Sequence, residues 1–300
     1  MPMNLKIRRI LVAIGDPSKV PASQLQKAAQ IARAAGAQLE LCHAIHPDRA
    51  HAVAAVRGRM ERLAARRIFA GLDVRSCLAI DFPPHEAIVR RAGVMRADLI
   101  VAATVSHSVG ERLLLRNTDW ELIRHAPCPL LLVKARGSYR QPAVLASIDP
   151  FHARAKPQQL DTKLLAAAQG MAALLRGRAH AFHAYLPLVA ALPGAMGQPV
   201  ALAMPPDAED VHGENVRKTF DRLASAAGIP AARRHLRMGD VPTQLGAVVR
   251  NTRASIVVMG AISRSALKRL FVGSTAEHIL DRLPCDALII KPGNRPAARR

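Results

Sequence analysis

Residues 98–134 read DLIVAATVSHSVGERLLLRNTDWELIRHAPCPLLLVK, and residues 255–291 read SIVVMGAISRSALKRLFVGSTAEHILDRLPCDALIIK. A constant offset of 157 aligns the two stretches without a gap. It pairs Ser106 with Ser263, Thr118 with Thr275, Pro127 with Pro284, Cys128 with Cys285 and Lys134 with Lys291. One α/β unit is therefore present twice. The copies differ at a candidate anion site. The second has Gly260 and Gly273 there, and the first has Ala103 and Arg116.

Around these stretches, short apolar strands alternate with helical stretches. In the first half the pattern predicts strands at 7–14, 38–44, 74–80, 99–103 and 130–133. Helices are expected at 22–35, 49–70, 84–95 and near 118–125, with Gly36 and Gly71 as C-caps. The second half repeats the order. Its strands are read at 143–148, 179–184, 233–236, 256–259 and 287–290, and its helices at 159–175, 209–227, 241–252 and 274–282. Alternation of this kind implies a parallel sheet covered on both faces. Three hundred residues suit two domains, taken as 1–137 and 138–300 with a linker near 135–141. A Pro/Arg-rich tail, 293–300, is read as disordered.

Half of the residues are hydrophobic and only 3% are aromatic. The cores are therefore built from Ala, Leu, Val and Ile, and base-stacking platforms for single-stranded nucleic acid are disfavoured. The formal net charge is +21, shared about equally by the two halves. It accompanies no nucleic-acid motif, so solvated basic helix faces account for it better than a specific nucleic-acid partner. Cys42, Cys77, Cys128 and Cys285 form no CxxC or other zinc spacing. No run reaches membrane-spanning length and no signal-peptide pattern opens the chain. The setting expected from this is cytoplasmic and reducing.

The chemistry gathers in the second half. Asp149 follows one predicted strand, and Gly260 stands next to Met259 at the end of another. Ligands of open doubly wound sheets bind beyond such strand ends, where the strand order reverses. Gly260 allows close backbone approach, Ser263 supplies a hydroxyl, and Gly273, Ser274 and Thr275 open a helix whose free amides suit an anion. Arg264, Lys268 and Arg269 add positive charge. Ser274-x-x-Glu277 is also a capping-box pattern, which uses the same amides. In the first half Arg116 replaces the glycine at the expected helix entrance and crowds a phosphate. Thr118, with Glu121, is expected to cap that helix, and Trp120 to pack in its first turn.

Gly260-x2-Ser263-x9-Gly273-Ser274 resembles the signature of the universal stress protein family, GxxGx9G followed by Ser or Thr. Ser263 departs from the family's second glycine. The Thr118-Asp119-Trp120 segment with its following Pro-Cys-Pro, and the run 272–278, are similar to the two halves of E-type tandem members. The resemblance covers almost the whole chain. It implies two flavodoxin-like (Rossmann-like) five-stranded parallel sheets, order 3-2-1-4-5, packed as a pseudo-dimer. It also implies a stress-response or signalling role and ATP bound by Asp149, Met259, Gly260, Ser263, Gly273, Ser274 and Thr275, with Mg2+ only as the nucleotide's companion. No nucleophile, base and orienter assemble in the sequence, so catalysis is limited at most to slow ATP hydrolysis.

A second reading stays open. Residues 186–206, LPLVAALPGAMGQPVALAMPP, are apolar but broken by Pro and Gly. They suit a flap over an apolar or lipid-like ligand as well as a packed interface loop. A protein partner and a homodimer are also left open. His43, His46 and His51 cross a strand end and a proline turn without a clustered carboxylate, so no metal site is assigned. His180 and His183, at odd spacing, point to opposite faces of their strand.

Overall fold

The computed structural model of the protein describes residues 6–104, 112–151, 160–187, 207–261, 279–280 and 282–291, with backbone alone at 50 and 112–117. In chain order the first half comprises β1 (Arg9–Ile14), α1 (Ala22–Ala35), β2 (Gln38–Ile45), α2 (Val53–Ala64), β3 (Val74–Ile80), α3 (Pro84–Val94), β4 (Leu99–Ala103), α4 (Arg112–His125) and β5 (Leu130–Val133). The second comprises β6 (Ala143–Ser147), α5 (Leu160–Leu174), β7 (Arg178–Tyr185), α6 (Ala208–Ala226), β8 (Arg234–Met238), α7 (Val241–Thr252), β9 (Ala254–Gly260) and β10 (Asp286–Ile290).

The strands form one sheet of order β3-β2-β1-β4-β5-β10-β9-β6-β7-β8. Read within its own half, each set follows the order 3-2-1-4-5. Among the described residues all pairings inside a half are parallel, and the single antiparallel pair, β5 with β10, joins the halves edge to edge. Leu131 lies opposite Leu288 at the centre of that pair. These two residues are equivalent in the repeat, so the pseudo-two-fold passes between them. The contact is isologous, as in a symmetric dimer, and it removes two edge strands from solvent.

The two strand-end lysines of the repeat cross this seam. Lys134 Nζ donates to Leu280 O, next to the last described turn of the second half. Lys291 Nζ donates to Arg124 O at 2.5 Å and Ala126 O at 2.9 Å, at the end of α4. Each lysine thus satisfies the orphan carbonyls of a helix in the opposite half. Burial lowers the Lys291 ammonium to about 8.

Alternation along the strands builds a core on both faces. Ile10, Val12 and Ile14 join one cluster with Val144 and Ile256, while Leu11 and Ala13 join the other with Leu145 and Val257. Both clusters run across the seam. The packing is close at Gly177, where a Cβ would lie 2.0 Å from Pro142 O. That carbonyl is already engaged, since Arg178 N donates to it at 2.9 Å. Gly177→Ala is therefore expected to cost at least about 1–3 kcal/mol. Thermal unfolding followed by circular dichroism should show it, and an unchanged midpoint would mean that the turn relaxes freely.

Two helix expectations are corrected. The helix predicted over 49–70 is three pieces: a 3-10 turn at Pro47–Ala52, α2, and a 3-10 turn at Arg67–Phe69. Arg66 is extended (φ −62°, ψ 140°), which swings Phe69 into the core, and Arg33 holds the new direction by donating to Ile68 O at 2.7 Å. The second concerns α4. It starts at Arg112, so Arg116 and Thr118 lie inside it and neither marks its entrance. The preceding Leu113, Leu114 and Leu115 are good helix formers and carry the helix through the polar residues. Trp120 accordingly sits beyond the first turn, packed against the core. Most of the predicted flap, the tail, and most of the helix expected at 274–282 lie outside the described residues.

Candidate functional site

The carboxyl ends of β6 and β9 form the centre of the site. The two strands pair in parallel, with Ala146 opposite Val258, which brings Asp149 and Gly260 to the same rim. Here the strand order reverses, because β6 has β7 on its other side. This is the switch-point geometry at which open α/β sheets bind ligands.

Helix α5 starts over this rim. Asp161, in its first turn, accepts the Asp149 N–H at 3.0 Å through Oδ1. Leu160 packs on Gly260 so closely that a Cβ there would lie 2.9 Å from Leu160 Cδ2. The glycine is thus already required by helix packing, a role that the sequence reading assigned to ligand approach. Met259 is 6% exposed in the core cluster under α7; only its backbone is available to a ligand. Ser263, Gly273, Ser274 and Thr275 lie outside the described residues.

A histidine that the sequence analysis named but did not place at the site stands beside each strand end. His183 Nδ1 is 3.1 Å from Ile148 O, the residue before Asp149. In the first half His43 Nδ1 is 2.9 Å from Ile14 O, near Asp16. The signal was present: residues 43–47 read HAIHP and residues 183–187 read HAYLP. It lies at a different offset from the 157-residue repeat and so escaped the alignment. Burial, the largest influence, holds the His43 imidazole below its usual range and so favours its neutral form. Asp16 is held below the carboxylate range, chiefly by hydrogen bonds from Ser18. The other histidines resolve as expected from their spacing. His180 turns to the opposite face and stacks on His235, with ring centroids 5.3 Å apart.

The second half's rim is apolar around its carboxylates. Phe151 lies 5.8 Å from the His183 ring, and Leu186, Val211 and Met238 are all about half exposed. Leu186 and Met238 follow or end neighbouring strands, since Tyr185 pairs with Met238. Carboxylates suit hydroxyl and amino donors, and an apolar wall suits a flat base or an alkyl chain. Neither suits a phosphate. Among the described residues no group of three or more His, Cys, Asp or Glu is placed to hold a metal ion. Among them, too, no helix is long and apolar enough to cross a membrane.

Known proteins agree with this architecture. A Pseudomonas aeruginosa protein described as functionally unknown has a similar structure, with TM-score 0.76 and 22% identity over 96% of this chain and 94% of its own. A universal stress protein from Archaeoglobus fulgidus follows the same course at TM-score 0.63 and 15% identity, over 96% of this chain and 97% of its own. In sequence, the universal stress protein E of Photorhabdus laumondii is 27% identical over 74% of this chain and 70% of its own length. That of Escherichia coli is 28% identical over 70% and 65%, so the match spans about two thirds of these relatives. The model of the universal stress protein family matches twice, at residues 6–134 and 157–291. With both copies of the unit matched and both built on one sheet, the chain belongs to the universal stress protein family, with the family's unit present in tandem.

Proposed function

We propose that this stress-response protein binds an adenine nucleotide, ATP, in its second half and acts as a regulatory binding protein rather than as a catalyst. The observation that carries the reading is the meeting of Asp149 and Gly260 at the strand-order switch between β6 and β9. The rim fits the nucleoside end of the ligand. Asp149 and Asp161 offer acceptors for ribose hydroxyls, and Phe151 offers a ring beside the cleft. The phosphates are assigned to the amides of Gly273, Ser274 and Thr275, on the resemblance of that run to the family signature. Mg2+, if it accompanies ATP, is held by the phosphates. Four free thiols fit a reducing, cytoplasmic setting.

Titration calorimetry tests this. ATP should bind the full chain, and Asp149→Ala should weaken binding by about tenfold or more, the effect of losing a hydrogen bond to a charged group. Equal affinity in the two proteins would remove Asp149 from the site.

A second reading has its own observation, the exposure of Leu186, Val211 and Met238 at the same rim. It replaces the nucleotide by an apolar or lipid-like ligand covered by residues 186–206. A fatty-acyl probe that binds where ATP gives no heat would decide for it.

A further inference from the structure

Far from the β6/β9 rim, the outer edge of the first half carries two facing thiols. Cys42 of β2 and Cys77 of β3 are register partners on adjacent parallel strands. Such strands run about 4.8 Å apart, and partners point to the same face. A disulfide needs Cα atoms roughly 4.4–6.8 Å apart, so the backbone need not move to close one. The thiols differ in access. Cys42 is fully buried, and Cys77, on the last strand of the sheet, is half-buried. A cavity of about 380 Å3 is lined by Cys77 together with Arg57, Glu61, Ser76 and Arg91.

The surroundings assign the two sulfurs different roles. Hydrogen bonding with the neighbouring Cys42 thiol, the largest effect on Cys77, holds the Cys77 thiol below its ordinary range. Partial burial and the Glu40 carboxylate oppose that shift, and the Arg91 guanidinium favours it. Arg91 is fixed by two bonds to Glu40, at 2.5 and 2.6 Å. Cys42 moves the opposite way, upward, through the same pairing with Cys77 and the burial of its site. Cys128 and Cys285 are both pushed up to about 12 by burial.

We propose that Cys77 and Cys42 form a redox-responsive dithiol, with Cys77 the sulfur that a hydroperoxide oxidises and Cys42 the resolving thiol. In the first step the Cys77 thiolate attacks one peroxide oxygen. An S–O bond forms, the O–O bond breaks, and the departing hydroxide takes a proton to leave as water. Sulfur has lost two electrons and stands as the sulfenic acid. In the second step Cys42 Sγ attacks Cys77 Sγ. The S–S bond forms, the S–O bond breaks, and the hydroxide leaves as water with the Cys42 proton. Two thiols and one hydrogen peroxide become one disulfide and two waters. The bond ties the edge strand β3 to β2.

The test uses the full reduced chain and hydrogen peroxide at pH 7, with alkylation of free thiols and peptide mass spectrometry without reductant. The expected product is a Cys42–Cys77 crosslink, lighter by two hydrogens and reversed by a dithiol. Cys77 should react at least about tenfold faster than Cys128 or Cys285. Its rate should rise with pH through a midpoint below that of an ordinary thiol, as the thiolate forms. In Cys42→Ser, dimedone should trap the sulfenic acid on Cys77. Cys77→Ser, at the half-exposed position, keeps the test independent of how the buried substitution folds, and should leave Cys42 unmodified. A crosslink between other cysteines, equal rates at all four, or a dimedone adduct on Cys42 in Cys77→Ser would overturn the assignment.

Discussion

Replacing Asp286 by alanine is expected to cost about 3–5 kcal/mol, the range for breaking a buried ion pair from one side. Asp286 is fully buried and lies 2.6 Å from Lys27 Nζ, which is itself 2% exposed. It also accepts the Tyr139 hydroxyl at 2.6 Å and the Lys134 and Ala135 N–H groups at 2.8 and 2.9 Å. Lys27 comes from α1, Tyr139 from the connection between halves, and Asp286 from β10. The network therefore bridges the molecule across the seam. Its loss leaves a buried ammonium that keeps Ala135 O and the Tyr139 ring as partners but has no other ion pair among the described residues. Asp286→Asn keeps an acceptor for the two backbone donors and should cost less than alanine. Converting both Lys27 and Asp286 to apolar residues should recover only part of the loss, because the N–H and O–H donors stay unsatisfied. Urea unfolding measures this with two probes. Trp120, the chain's single tryptophan, reports on the first half, and far-UV ellipticity reports on the whole. In the wild type the two curves should coincide, and in Asp286→Ala they should separate. Coincident curves with a loss under about 1 kcal/mol, no more than a typical single hydrogen bond, would show that the network does not couple the halves.

Replacing Gly273 by arginine is expected to weaken ATP binding at least about a hundredfold, or roughly 2.7 kcal/mol. The substitution copies Arg116 of the first half into the equivalent position. The long side chain takes the volume assigned to the phosphates and removes the close backbone approach that glycine allows. The fold should survive, because the first half carries arginine at this position inside α4. Calorimetric titration of ATP into both proteins, with circular dichroism as the folding control, decides it. Equal binding would place the nucleotide elsewhere. No binding by the wild type would sink the nucleotide reading and promote the apolar ligand.

Much of this fold is written locally. The strands at 99–103 and 130–133 and the helix at 241–252 have the bounds read from the sequence. Each is delimited by nearby residues: Asp240 caps α7 by accepting the Thr243 N–H, and Pro129 precedes β5. The repeat also declared two copies of one unit, since a shared pattern of apolar positions demands a shared fold. Helix breaks were less legible. Nothing in the composition of 49–70 announces that Phe69 must reach the core, because that demand comes from α1, a distant neighbour. At the site, the sequence singled out Asp149 and Gly260, and the place of His43 and His183 beside the strand ends emerged only when those ends were seen side by side.

By itself, then, the sequence determined a twice-repeated parallel α/β unit and pointed to its strand-end rim, because periodicity records which face of each element is buried. Tertiary structure alone decided which edges meet, that Lys134 and Lys291 exchange halves, that Lys27 finds Asp286, and that Cys42 faces Cys77. A burial pattern says that a side chain needs a partner. The partner's identity follows from strand register and from closure across long stretches of chain, and these are set only when the whole sheet forms.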